Sequence, residues 1–431
     1  MKQNTPVRIA EAHLPMIMFL IEYHRQQLLE MTKSPRYTKS RFLLDAHGMR
    51  ICTGKKYHDL CNGKLSDNYE IYHLLLKNLN TCYYYLPSLI ALLNELHSCM
   101  FLAAEQQKKA KLVDLANQAV RSLKPYRTSV YYREMEKMYL LIAHYHENLS
   151  VDPADIHLFY DIKAYIDPLL KPILLEIGCY YFSMVAYSQT HYMNLLHDAQ
   201  QLEMNSIVLD LLKCTALIRK NEHLKAIAKL EALLPVLKRQ NAEYYLAKVY
   251  NMLSISYHYF NKTSSIEYLH KSIILLEKQK QYHLLGSSYH NMAVTYVELG
   301  YYAEALSAFK QAILYNPRKS IYDLPYLFRC LEHNKTLLNK QALFDILTCA
   351  KTYLDQVTPC LQLVYLFYEA IINNEYSYIT SVLLPKFYFF QNEIRCNAFY
   401  FSIVLDHLSQ VCMHCNKQKQ FYALYEKVMN T

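Results

Sequence analysis

The sequence predicts an all-α chain of helical hairpins stacked one on the next, and three observations carry that prediction. Residues 286–317, GSSYHNMAVTYVELGYYAEALSAFKQAILYNP, read as a helix, a tight turn at Gly300 and a second helix closed by Pro317. The pattern recurs upstream in 250–276, where Tyr257 answers Tyr296, and Ser265 and Ser272 answer Ala305 and Ala312 at an offset one position longer. Among 431 residues there are only 6 glycines and no tryptophan, and alternation of strand type bounded by turn clusters is absent. One hairpin cannot bury its own apolar face, so recurrence is what a stable chain of this kind needs.

In chain order, the segment 1–80 stands apart. It holds Gly48, Gly54 and Gly63, and 12 Lys and Arg against 7 Asp and Glu, which is five of the nine net positive charges. Phosphate neutralisation supplies most non-specific nucleic-acid affinity, so this concentration fits a nucleic-acid contact surface. Helices are expected over Ile9–Met31 and Lys39–His47, linked by Ser34–Thr38. A turn at Ile51-Cys52-Thr53 would open a helix with Gly54 to His58 exposed, Leu60 in the core and Asn62-Gly63-Lys64 as C-cap. Ser66-Asp67 would cap the next helix, with Tyr69, Ile71, Tyr72, Leu75, Leu76 and Leu79 as its apolar face.

Further along, 129–147 and 154–198 read as helical. Residues 205–235 fit a hairpin, with Ala226 standing one repeat period before Ser265 and Pro235 closing the second helix. Segments 341–356, 359–375, 377–393 and 395–429 continue as helix pairs.

Residues 286–317 resemble a tetratricopeptide (TPR) repeat at Tyr289, Met292, Ala293, Tyr296, Ala305, Phe309, Ala312 and Pro317. The resemblance implies a right-handed TPR-like α-solenoid over 81–431 whose concave face binds peptides or proteins. A period of about 40 exceeds the roughly 34 residues of a standard repeat, which implies helices extended by about a turn and a half.

Residues 51–79 resemble the second half of a Cro/C1-type helix-turn-helix of peptide-responsive regulators from low-GC Gram-positive bacteria. That resemblance implies a DNA-binding domain over 1–80. Thr53 would stand at the turn, Lys55, Lys56, Tyr57 and His58 would read bases and backbone, and Arg36, Lys39, Arg41, Arg50 and Lys64 would contact phosphates. His58 stands where those regulators have serine, and Cys61 where they have glutamate.

A basic helix-turn-helix followed by degenerate TPR is similar in layout to the Rgg/PlcR-like (RNPP) regulators. This implies a cytoplasmic, homodimeric quorum-sensing regulator that binds double-stranded DNA and a short signalling peptide. Asn251 and Asn291, each followed by Met and each the same distance ahead of Ser265 or Ala305, are placed to bond a peptide backbone. Lys213, Arg219 and Lys248 are candidates for a peptide carboxylate. The competing resemblance is to Rap-like TPR proteins, which carry an N-terminal helical bundle and act by binding a protein partner without DNA.

The sequence predicts no enzyme, with no catalytic residue, metal ligand or cofactor: no Gly-rich phosphate loop, HExxH, GxSxG or paired-carboxylate arrangement stands out. The 12 cysteines lack framework spacing and read as free thiols. Cys412-Met-His-Cys415, with Cys396 nearby, reads as helix packing rather than a zinc site. No secretory signal is evident, and no apolar run approaches the length of a membrane span, so no membrane contact is expected.

Overall fold

The computed structural model describes residues 8–186, 188–333, 340–391, 394 and 398–429. Among these the regular structure is helical, and β-type pairing is confined to two isolated bridges, Leu44 with Arg50 and Cys82 with Ser129. The chain forms two compact units, one from 1–184 and 188–213, the other from 185–187 and 214–431. Residue 80, the expected domain boundary, lies inside the first.

That unit begins with α1 (Leu14–Thr32), α2 (Lys39–Phe42), α3 (Gly54–Cys61) and α4 (Tyr69–Asn78). It continues through α5 (Pro87–Glu105), α6 (Lys109–Leu123), α7 (Val130–Asn148), α8 (Pro153–Ile162), α9 (Lys171–Tyr180) and α10 (Gln189–Gln201). Helix α1 is shared core. Its Ile17, Leu20 and Ile21 are fully buried, and it packs on α3 and α4 as well as on α7. The His13 ring stacks on Tyr131 at 4.0 Å and Phe19 lies 5.4 Å from Tyr165. His24 meets the buried Glu134 at 3.2 Å.

Three expectations need correction here. Helix two is a single turn, Lys39–Phe42, and not Lys39–His47. The Asp45 carboxylate accepts from the His47 and Met49 amides, both at 2.8 Å, and Gly48 takes φ of 76°, so the chain turns back where the helix was expected to continue. Secondly, α5 is long and apolar enough to cross a membrane. Counting uninterrupted apolar residues missed it, because Asn94, Glu95 and His97 break the run. In this unit α5 is a core helix: Leu89, Leu93, Leu96 and Met100 are buried, and His97 bonds Tyr139 at 2.5 Å. Its last residue, Glu105, accepts from the Ser206 hydroxyl and the Ile207 amide where α11 (Ile207–Arg219) begins.

The second unit supplies the third correction. Helix α12 (His223–Arg239) runs through Pro235 instead of stopping there. Then come the hairpins α13 (Glu243–Tyr257) with α14 (Lys262–Lys278), and α15 (Tyr282–Leu299) with α16 (Tyr302–Tyr315). Ala226, Ser265, Ser272, Ala293, Ala305 and Ala312 are all buried, because each stands where two helices come close. Gly286 is another close approach: a Cβ there would lie 2.7 Å from Asn316 Cβ and 3.1 Å from the Ala312 carbonyl. Gly300 ends α15 with φ of 79°, in the left-handed region that glycine adopts without strain.

Helices α17 (Lys319–His333), α18 (Lys340–Lys351) and α19 (Pro359–Ile372) follow. Segment 377–393 is not one helix. A turn at Tyr376–Tyr378 leads into a π-helical stretch, Ile379–Leu383, and then Leu384–Phe389 with Pro385 near its start. The last pair is Ala398–His414 and Gln418–Met429. Cys412 is buried in this core, and burial pushes its thiol up to about 11. Cys396 lies outside the described residues.

Candidate functional sites

The N-terminal surface is built on α3. Thr53 caps it by accepting from the Lys56 amide at 3.1 Å, an interaction worth about 1 kcal/mol. Tyr57 and Leu60 form its buried stripe, and Tyr57 packs edge-on against Phe42 with ring centroids 6.2 Å apart. The Tyr57 hydroxyl donates to Glu22 Oε2 at 2.6 Å, and Arg25 donates to both oxygens of the same carboxylate. Burial pushes the Tyr57 phenol far up, and its hydrogen bond to Glu22 adds to this. Glu22 is held below the usual carboxylate range: burial raises it, and the bonds from Arg25 and Tyr57 outweigh that.

This arrangement corrects one site residue. Tyr57 is an anchor on the back of α3, with no atom left to read a base. The outward side keeps Thr53, Gly54, Lys55 and His58 exposed and Lys56 half-exposed. His58 bonds the Asn62 amide at 3.0 Å, and Lys64 reaches Asp59 at 3.2 Å from an exposed position.

Arg36, Lys39, Arg41 and Arg50 are also exposed. Arg36 donates to the Asn78 carbonyl at 3.1 Å, which ties it to the end of α4. From the same end, the Asn78 side chain donates to the Phe42 and Leu44 carbonyls, clamping the turn after α2. Arg36, Arg41, His47 and Lys77 surround one open cleft in this region.

The second site lies on the first helices of successive hairpins in the C-terminal unit. Asn291 Nδ2 donates to Asn251 Oδ1 at 3.0 Å, and Asn251 Nδ2 donates to Ser288 Oγ at 3.1 Å. The two asparagines named from the sequence are thus joined to each other, both half-buried. Lys248 lies one turn before Asn251 on α13, its ammonium 4.7 Å from the Tyr244 ring centroid. Arg219 is exposed at the end of α11. Lys213, in the other unit, donates to the Leu202 carbonyl at 2.8 Å, so its ammonium closes a local turn.

Sequence reasoning missed the rest of this row. His258 meets Thr295 and Glu298, each at 3.1 Å, and Lys262 reaches Glu298 at 2.9 Å. One hairpin further on, His290 Nδ1 pairs with Asp323 Oδ1 at 2.5 Å. These bonds link α13 to α15 and α15 to α17, giving a polar ladder across the first helices. Glu298 is held below its usual range: burial raises it, and bonds from His258 and Lys262 outweigh that. Asp323 is pushed up by burial, with the His290 charge opposing. Lys319 is pushed down by burial, with Asp323 pulling it back up and Arg219 repelling it. One signal could have found part of the row: His258 and Glu298 stand 40 residues apart, at the repeat period.

Among the described residues, no group of three or more His, Cys, Asp or Glu side chains is placed to hold a metal ion. The ladder's chemistry is amide hydrogen bonding combined with positive and negative charge.

This chain is similar in fold to a Rap protein whose crystal structure was solved in complex with competence and sporulation factor. The likeness has a TM-score of 0.61 at 9% identity and covers 80% of this chain and 97% of that one. At that identity it establishes the architecture, an all-α TPR-like helical solenoid. No protein-family profile and no curated protein sequence matches the chain.

Proposed function

We propose that this protein is a peptide-responsive transcriptional regulator of the Rgg/PlcR-like kind. Residues 1–80 would bind double-stranded DNA, and 81–431 would bind a short signalling peptide along the ladder of Asn251 and Asn291. The observation that carries the DNA half is the two-sided character of α3. Its back is fixed by Tyr57 on Glu22, while Lys55 and His58 stand exposed on its front and Lys56 is half-exposed. A reading helix needs a rigid back and a basic, accessible front. Arg36, Lys39, Arg41, Arg50 and Lys64 then serve as phosphate contacts, and a cytoplasmic homodimer would span two half-sites about one DNA turn apart.

The peptide half rests on the ladder and on the complex formed by the structural neighbour. The side-chain amides of Asn251 and Asn291 can exchange their mutual bond for bonds to an extended peptide backbone. A peptide that binds one arrangement of the repeats better than another shifts the population by that difference in affinity.

The neighbour's identity as a Rap protein favours a second reading, an interaction protein that sequesters a protein partner without touching DNA. Selection of duplexes from a random pool by the full chain separates the two. Recovery of a shared sequence motif supports the regulator. Recovery of unrelated sequences at the level of a non-specific basic protein favours the Rap-like reading.

A further inference from the structure

The turn that ends α2 early is a small built element. Leu44 pairs with Arg50 in an antiparallel bridge, the Asp45 amide donates to the Met49 carbonyl at 2.8 Å, and the Ile51 amide donates to the Leu43 carbonyl at 2.9 Å. Residues 43–51 therefore form a short hairpin, with Ala46, His47 and Gly48 exposed at its tip. Its base is held to the end of α4 by the two bonds from the Asn78 side chain, at 2.7 and 2.8 Å. Hairpin and α4 together line a cleft of about 940 Å³. Its shape is set by backbone pairing and the Asn78 clamp, so it is present before any ligand arrives.

Three basic side chains line the cleft from three segments: Arg41 from α2, His47 from the hairpin tip and Lys77 from the last turn of α4. All three are exposed, and none has a hydrogen-bond or ion-pair partner among the described residues. Asp45 is the one carboxylate in the lining, and its Oδ1 already accepts from the His47 and Met49 amides. A cleft walled by unpaired basic groups attracts an anion. Its size suits a stretch of charged backbone better than a single small ion. Its place in the chain supplies the rest of the argument. The hairpin ends at Ile51 and α3 starts at Gly54, a span of at most about 10 Å. The major groove is about 12 Å wide, so a helix inside it keeps such a neighbour at the phosphate rim.

We propose that the cleft between hairpin 43–51 and the end of α4 seats a phosphodiester segment of the duplex, just outside the bases that α3 reads. Arg41, His47 and Lys77 are the residues that hold it. This rests on the DNA-binding reading above and adds to it a preformed backbone seat with two further contacts, His47 and Lys77. The seat exists because α2 is one turn long: a helix continued through His47 would leave no hairpin to wall the cleft.

The test takes the duplex motif recovered from the random pool and replaces its phosphates one at a time with neutral methylphosphonates, extending several base pairs beyond the motif. Binding of the full chain is then measured at each position. The proposal expects one or two adjacent positions flanking the motif where the neutral group costs wild type about tenfold, as one charge-assisted contact implies. Lys77→Gln and Arg41→Gln should lose that sensitivity and keep wild-type sensitivity elsewhere, while Lys77→Arg should retain it. Thermal melting confirms that each variant is folded, and the position-by-position readout separates a lost contact from a general loss of affinity. A Lys77→Gln and an Arg41→Gln protein that respond to every replacement as wild type does would overturn the seat and leave DNA reading by α3 standing. Recovery of no motif from the pool would overturn the DNA reading and the seat with it, and the cleft would then suit an acidic segment of a protein partner.

Discussion

The Tyr57 hydroxyl donates to Glu22 Oε2 at 2.6 Å, and through that bond α3 is fixed to the core helix α1. Arg25, only 3% exposed, donates to the same carboxylate and to the Tyr37 carbonyl at 2.7 Å. Tyr57→Phe keeps the ring packing and removes one donor from a half-buried carboxylate oxygen that still accepts from Arg25. It is expected to lower stability by about 0.5–1.5 kcal/mol, measured by denaturant unfolding. If α3 reads DNA, the same variant weakens specific binding more than non-specific binding, because the helix loses its fixed angle while its charges stay.

A pH dependence follows from Glu134 in the same unit. Burial pushes its carboxyl up, but bonds from His24 and Lys137 and the Lys137 charge outweigh that and hold it at about 2. A lowered carboxylate contributes stability that is complete above its ordinary value and is lost as pH falls through the folded one. Unfolding free energy of the full chain is therefore expected to drop between about pH 4.5 and pH 2. Glu134→Gln should flatten that part of the curve while lowering stability at neutral pH; an unchanged acid limb would sink the assignment.

Two glycines in one hairpin should behave differently. Gly300→Ala puts a side chain at φ of 79° with nothing nearby to strike, at an expected cost of about 1 kcal/mol of backbone strain. Gly286→Ala has ordinary helical backbone but drives a Cβ to 2.7 Å from Asn316 Cβ, so α15 and α16 must separate. Overpacking of this kind costs about 1–3 kcal/mol, and melting of the two variants should rank Gly286→Ala as the more damaging.

Asn251→Ala removes the middle of the Asn291–Asn251–Ser288 chain. It leaves a half-buried amide short of a partner, for an expected loss of about 1 kcal/mol in stability. Its retention of peptides from a pool of randomised heptapeptides, read by mass spectrometry, should fall by about tenfold against wild type at matched folded fraction.

Legibility followed sequence distance. The hairpin 286–317 was readable because its small residues, its turn glycine and its closing proline are all local signals. Ala293, Ala305 and Ala312 are buried, and Gly300 ends the first helix as read. The early end of α2 was also locally signalled, by Asp45 shortly before Gly48, and the apolar face of the expected helix obscured it. Tyr57 was misread for a similar reason. Its spacing to Leu60 marks a buried stripe, yet alignment to a reading helix counted it with the exposed lysines. Pairs such as His258 with Glu298, or His290 with Asp323, join positions far apart in the chain. The repeat offset accounts for the first pair, 40 residues apart, but not for the second, 33 apart, and only side-chain rotamers decide that either bonds. The Glu22–Tyr57 bond has no sequence signal at all.

The measurement that tests the regulator reading most directly is binding of the full chain to a fluorescent duplex from upstream of its own gene, across a salt series. Wild type is expected to bind that duplex well above a scrambled one, with affinity falling steeply as salt rises. Lys55→Ala with Lys56→Ala should abolish the preference and reduce the salt slope by about 2. Equal binding to both duplexes, or a double variant that binds as wild type does, would contradict DNA reading by α3.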